Sequence, residues 1–342
     1  MANNFKLCLL GLILILQGLY SEVHGASVPK GDKQSIFDIL SQEEVLHISI
    51  RTDLTNFLAN RNTDDEQKAL VEFASPQEYP SIWSVDISVR GKHRRKTCAF
   101  PPVKLKFDKD ALKDANLKKY KSLKLVTHCD DRAEAQELLL KEYLVYKMYN
   151  ILTPNSFRVQ LVRVDWRDSS GKHNYGEKWG FIIEHKDELV KRLESKHHND
   201  TGVFHHQLNR ANAALAYMFQ YMIGNHDWDL ESGRNLTLIE EQATMDILAV
   251  PYDFDFSLLV DAYYVALDWP LSGDNRRVYL GNFSDEENAS TIALFKEKKK
   301  EFIKLIKSFK HLSRDTRFEM SRYIKSYYAS LGSPLQRLED FE

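Results

Sequence analysis

The sequence predicts an α+β fold with a small mixed-sheet lobe in the first half and a larger, mainly helical lobe in the second. Three observations carry that prediction. Short runs alternating apolar and polar residues dominate the first half, with one long helical pattern among them. Helical spacing takes over after residue 205. Between the two regimes, Asp and Asn residues crowd the stretch from Gly224 to Val260, where a site would face the cleft between lobes.

Residues 1–26 read as a secretory signal peptide. Lys6 precedes the apolar run Leu7–Leu16, and small residues follow, with cleavage expected after Gly25 or Ala26. The run is shorter than the roughly 20 residues a bilayer span needs. The mature chain is therefore expected to be exported, to a periplasm, a secretory lumen or the outside, with no transmembrane segment. Cys8 leaves with the leader, and Cys98 with Cys129 remain as an expected disulfide in an oxidising compartment. Asn199, Asn235, Asn282 and Asn288 head N-glycosylation sequons.

The chain carries 47 basic and 49 acidic residues, for a net charge of −2, with 43% hydrophobic and 28% charged residues. That is the composition of a globular domain with an ample core. Bulk charge gives no reason to expect nucleic acid as a partner.

The first lobe is read over residues 33–188. "VLHISIRTDL" is a strand, and "TDLTNFLAN" a short capped helix. "SIWSVDISVRG", "VKLKF" and "SLKLVTHC" are strands by alternation. Glu134 to Leu152 is a helix with Leu140, Leu144, Met148, Ile151 and Leu152 along one face, stopped at Thr153 and Pro154. "SFRVQLVRVDW" and "KWGFIIEH" complete the sheet around the turn "RDSSGKHN". The second lobe, residues 189–342, opens with an amphipathic helix over 205–223, continues through a hairpin of "NLTLI" and "DILAV", and ends in helix over 291–331. The lysine run "KEKKK" reads as a solvated helix face. His197, His198, His205 and His206 read as solvated pairs, and Trp228 and Phe254 as packing residues.

The chemistry is concentrated in "GNHDWDLESGRNLTLIEEQATMDILAVPYDFDFSLLV". Phosphoryl transfer needs one carboxylate at the acceptor hydroxyl, and an Asn with a second carboxylate to hold the divalent ion that bridges phosphates. Protein kinases place these groups in the order Asp, Asn, hairpin, Asp. Here Asp227 is the expected base, with Asp229 as second choice. Asn235 and Asp253 are the expected ligands of Mg or Mn, with Asp255 as alternative. Asp253 and Asp255, two apart, would share a face of an extended strand. "YDFD" also resembles the DxD of metal-dependent glycosyltransferases.

The ordered series "RGKHRRKTCAFPPVKLKF", "LKLVTHCDDRAEAQELLLKEYLVYKMYN", "GFIIEHKDELVKR" and "MIGNHDWDLESGRN…VPYDFDFS" resembles the spore-coat CotH family of atypical kinases over about residues 45–270. The "GN-x-D" loop is similar to that of CotH-like and HipA-like kinases. The resemblance implies an atypical kinase-like fold that binds ATP and a divalent metal and phosphorylates a protein or other hydroxyl-bearing acceptor. It places a phosphate-contacting lysine in "VKLKF", at Lys104 or Lys106, paired with Glu142 on the following helix. Arg90, with the other cations of "RGKHRRK", would face phosphate or an acidic substrate. No GxGxxG loop is present. A pseudokinase or adhesion-type binding module is the alternative from another class.

Overall fold

The first half of the computed structural model is a barrel of seven strands; description covers residues 33–76, 79–199, 201–265 and 277–331. The signal-peptide reading lies outside them.

Helix α1 (Ile36–Leu40) starts on a capping box between Ser35 and Asp38. Strand β1 (Leu46–Thr52) buries Leu46, Ile48 and Ile50, and α2 (Leu54–Ala59) follows on the Asp53 cap. Strands β2 (Gln67–Phe73), β3 (Ile82–Val89), β4 (Val103–Phe107) and β5 (Ser122–Thr127) run antiparallel to one another, with the short helices α3 (Arg94–Thr97) and α4 (Lys109–Asp114) in their connections. After α5 (Ala133–Leu152) come β6 (Val159–Asp168) and β7 (Gly176–Ile183). Around the barrel the order is β1, β2, β3, β4, β5, β7, β6. Closure is made by a parallel pairing of β1 with β6, from Leu46 opposite Val162 to Thr52 opposite Asp168. The expected sheet is thus mixed, but closed, which removes the free edges of an open sheet.

Alternation along each strand divides the two faces. Val103, Leu105, Phe107, Leu123 and Leu125 point into the barrel core with Ile50, Val85 and Trp166. The opposite face, carrying Val126, Val159, Leu161, Phe181 and Ile183, joins a second core with α5. Helix α5 is buried nearly all round, from Ala135 to Tyr149, because it has the barrel on one side and C-terminal helix on another.

Helix α6 (Lys186–Arg192) crosses the expected lobe boundary at residue 188, and the described residues from 34 to 331 belong to one compact unit. Strand β8 (Ser195–His197) lies on β9 (Leu236–Glu241), which pairs with β10 (Ile247–Pro251). Helix α7 (Arg210–Ile223) begins later than expected, at an Asn209 cap, because His205–Gln207 form a separate 3₁₀ turn. It ends at Gly224, whose φ of 65° and contact with Tyr323 and Leu258 leave no room for a Cβ. The final helical stretch is two helices, α8 (Asp285–Ser308) and α9 (Arg314–Ser330). No helix among the described residues is long and apolar enough to cross a membrane.

Candidate functional site

A cleft of about 630 Å³ opens where the β3–β4 connection and strands β5 and β7 meet the segments after α7 and β10. Arg90 to Arg94 line one wall. Asp227, Ser232 to Asn235, and Tyr252, Asp253, Asp255 and Phe256 line the other.

The Asp227 loop is built from the end of α7. Buried Asn225 donates to Gln220 Oε1 at 3.0 Å and accepts the Asp227 N–H at 3.1 Å, so the α7 cap fixes the loop. Trp228 is a packing residue, as expected: its ring meets Tyr217 at 4.4 Å and its Nε1 donates to the Asn225 carbonyl. Asn235 sits at φ 55°, a left-handed conformation that Asn tolerates better than most residues. Its Nδ2 donates to the Asp227 carbonyl at 2.6 Å and to Asp227 Oδ2 at 3.0 Å. Arg234 donates to Asp227 Oδ1 at 3.3 Å. Eight positions apart in sequence, Asp227 and Asn235 are therefore in contact. Asp229 is not part of this arrangement. Its carboxylate accepts the Ser232 N–H at 2.7 Å, its backbone bridges Arg234, and bonding from Ser232 holds its pKa below the usual range. It is a turn-forming residue.

Asp253 and Asp255 lie just beyond β10 rather than within a strand, and the two carboxylates are not equivalent. Asp253 has φ 63°, and its N–H donates to the buried Tyr146 hydroxyl of α5 at 2.8 Å. Asp, like Asn, tolerates this left-handed conformation better than most residues. Phe254 between them is fully buried against Tyr146 and Phe219. Asp255, only 4% exposed, accepts from Arg94 Nε at 2.8 Å and from the Tyr264 hydroxyl at 3.1 Å.

Arg94 also donates to Glu142 Oε2 at 2.6 Å, so one buried guanidinium joins α5 to the segment after β10. This corrects the expected pairing of Glu142 with a lysine of "VKLKF". Burial disfavours the Arg94 charge, but the carboxylates of Asp255 and Glu142 more than reverse that and hold its pKa well above the ordinary value. One guanidinium does not balance two buried carboxylates with Asp253 nearby. Burial accordingly pushes Glu142 up to about 8 and raises Asp255.

The two expected lysines turn elsewhere. Lys106 pairs with Glu66, and Lys104 lies 4.0 Å from the same carboxylate. Lys92 lines the cleft with its Arg90 neighbour, and Lys124 of β5 stands at its edge, against Tyr252 of the wall. Lys124 lies beside Lys104 and beside Ile183 in register, with its ammonium 4.8 Å from the centre of the Tyr252 ring. Burial, aided by Arg90, lowers its pKa to about 8, while Asp253 favours its charge. The signal for it was present: "SLKLV" has the same alternation as "VKLKF", one strand closer to the long helix.

Glu142, Asp253 and Asp255 bring carboxylate oxygens within 4.8 Å of one another, and Glu142 Oε1 is buried with no partner. An all-oxygen set of this kind suits a hard divalent cation. Arg94 bonds Asp255 and Glu142 of this set, so Asp253 is the member left clear of it, with Asn235 on the same cleft wall. Among the described residues the histidine pairs make no such group: His197 pairs with Asp187, and His205 meets the Tyr217 hydroxyl. Cys98 and Cys129 form the expected disulfide, with Cα atoms 4.6 Å apart.

No family model matches the chain, and no curated protein matches it. The likeness to spore-coat proteins thus remains a reading of motifs. Among solved structures, the Helicobacter pylori proinflammatory kinase CtkA is similar at a TM-score of 0.38 and 7% identity, over 66% of this chain and 90% of that one. At that score the likeness assigns neither fold nor chemistry.

Proposed function

We propose that the chain is an exported, atypical kinase-like phosphotransferase, moving the γ-phosphate of ATP to a protein or other hydroxyl-bearing acceptor with the aid of Mg or Mn. The observation that carries this reading is the convergence in one cleft of the Asp227–Asn235 contact and Asp253, with Lys124 at its edge and Arg90 opposite.

In this reading Asp227 Oδ2 orients the acceptor hydroxyl and takes its proton, held in place by Asn235. Asn235 and Asp253 would hold the ion, which when bound would neutralise phosphate charge. Lys124 occupies the strand that leads into the long helix. Protein kinases keep their phosphate lysine on the strand preceding the corresponding helix. Arg90 offers a fork to a phosphate oxygen. The β3–β4 connection, rich in Arg and Lys, would cover the phosphates in place of a glycine-rich loop.

The same contacts support a second reading, a binding module without turnover. In protein kinases the helix Glu holds the lysine, whereas here Arg94 takes both Glu142 and Asp255. The glycosyltransferase reading has less support, because Asp255 of the DxD pattern is engaged by Arg94 and Tyr264.

Thermal shift with ATP, ADP and nucleotide sugars, each with and without Mg or Mn, tests the nucleotide site. The expected result is stabilisation by ATP with metal, abolished in Asp253→Asn and weakened in Lys124→Met. Phosphate transfer that disappears in Asp227→Ala while the thermal shift persists identifies the enzyme. A shift with no transfer in the native chain selects the binding module. Stabilisation by nucleotide sugars alone would end the kinase reading.

A further inference from the structure

The lysine run of α8 is half of a larger basic surface. Helices α8 and α9 lie against one another. On α8, Lys299, Lys300, Lys304 and Lys307 line a depression together with Ile303, and Lys325 of α9 closes it. On α9, Arg314, Arg317, Arg322 and Lys325 line the adjoining depression, and Lys307 of α8 belongs to it too. The spacing of 314, 317, 318, 321 and 325 keeps these residues on one side of α9.

Among the described residues none of these eight cations forms an ion pair. The neighbouring carboxylates look away: Glu301 is drawn to Lys298, and Glu319 lies within electrostatic reach of Lys141 on α5. In the middle of the cations stands Phe318, 67% exposed and the most exposed of the large apolar side chains described. A solvated helix face accounts for lysines, but not for an uncovered Phe ringed by arginines that meet no carboxylate among the described residues, Arg317 donating only to the Lys307 carbonyl.

We propose that this face docks a short acidic segment of a partner protein, carrying at least one apolar side chain that covers Phe318. The proposal stands on a surface distinct from the cleft and does not depend on the kinase reading. Charge sets the sign of the partner. Phe318 argues for a peptide, since a sulfated polysaccharide offers no apolar group to cover it. A membrane surface would be met by several apolar side chains rather than one. Length sets the size. From Arg314 to Lys325 the helix rises roughly 16 Å, which an extended chain spans in about five residues. Because the whole chain is net −2, a longer polyanion would run past this face onto an acidic remainder.

The test uses the full chain at low salt. Probes are a labelled hexapeptide of Asp and Glu with a central Leu, the same peptide with Ser for Leu, a heparin fragment, a single-stranded oligonucleotide, and phosphatidylserine vesicles. The Leu peptide is expected to bind best, losing affinity about tenfold in the double variant Arg317→Glu, Lys325→Glu. Phe318→Ala should weaken the Leu peptide about threefold or more while leaving the Ser peptide unchanged. Phe318 and Lys325 are exposed and Arg317 is half-buried, bonded to the Lys307 carbonyl, and an unchanged melting temperature will confirm intact folding. The proposal is overturned if heparin, oligonucleotide or vesicles bind more tightly than the Leu peptide. It also fails if Phe318→Ala treats both peptides alike, or if no peptide binds.

Discussion

Arg94 stands in a seven-residue basic segment, yet it is the member buried between two carboxylates from distant parts of the chain. Removing one partner of such a cluster costs more than the cluster contributes, because uncompensated buried charge remains. Arg94→Met is therefore expected to destabilise the chain by about 3–5 kcal/mol, measured by urea unfolding at neutral pH. Adding Glu142→Gln should recover part of that loss; no recovery would show that Arg94 acts through packing alone. His128 presents the opposite case, a buried ring whose nearest carboxylate is that of the exposed Asp131, 4.0 Å from Nε2. The ring is fully buried, stacked on Phe100 at 4.8 Å, and neither ring nitrogen finds a hydrogen bond. Burial lowers its pKa from 6.5 to about 4. Between those values the folded chain binds fewer protons than the unfolded one, so stability falls as the pH drops through that window. The loss amounts to about 3 kcal/mol. His128→Phe keeps the stacked ring and removes the titration. Its unfolding free energy should therefore fall less than the native chain's between pH 6.5 and 4, and equal slopes would refute the assignment.

At the scale of elements, the disulfide ties the β3–β4 connection to the turn before α5. Cys98 ends α3, its N–H donating to the Arg94 carbonyl at 2.9 Å, and the Cys129 carbonyl accepts from Phe100 at 2.9 Å. The bridge thus anchors the segment that aims Arg90 and Arg94 at the cleft. It closes a loop of separation 31, for which chain entropy predicts about 3–4 kcal/mol. Cys98→Ser with Cys129→Ser should lose at least that much in denaturant titration. A smaller loss would mean that the ion pairs of Arg94 hold the segment unaided. Elements of this size were mostly readable in the sequence. Strand β4 is the run "VKLKF" itself, and α5 differs from its expected span by one residue at its start. The lysine was harder to place, since Lys104 and Lys124 occupy equivalent positions of adjacent strands. Only the register against β7 and the Tyr252 ring buries one of them. Strand β2 went unread because its inward positions are just Ala69, Val71 and Phe73, and the outward Leu70, 45% exposed, breaks the alternation.

For the whole molecule, the limits of sequence reading follow from separation along the chain. Barrel closure rests on β1 meeting β6, and the Arg94–Asp255 contact joins residues 161 apart. Local periodicity carries no information about either. Asn235 and Asp253 were legible from the order Asp, Asn, hairpin, Asp, and Asp227 and Arg90 with the help of the family resemblance; all four line the cleft. The molecule's surface offers a test of both fold and compartment. Asn199 and Asn282 are exposed, whereas Asn288 is buried and its Oδ1 accepts from the Tyr279 hydroxyl at 2.6 Å. Asn235 is committed to Asp227. Passed through a eukaryotic secretory pathway, the chain should carry glycans at Asn199 and Asn282 and lack them at Asn235 and Asn288, as peptide mapping by mass spectrometry will show. Because glycans are added where backbone and amide are accessible, a modified Asn235 would require the Asp227 loop to fold late or differently. Bare Asn199 and Asn282 on a chain that is nevertheless recovered inside the cell would instead remove export from the proposal, leaving the cleft and its chemistry as they stand.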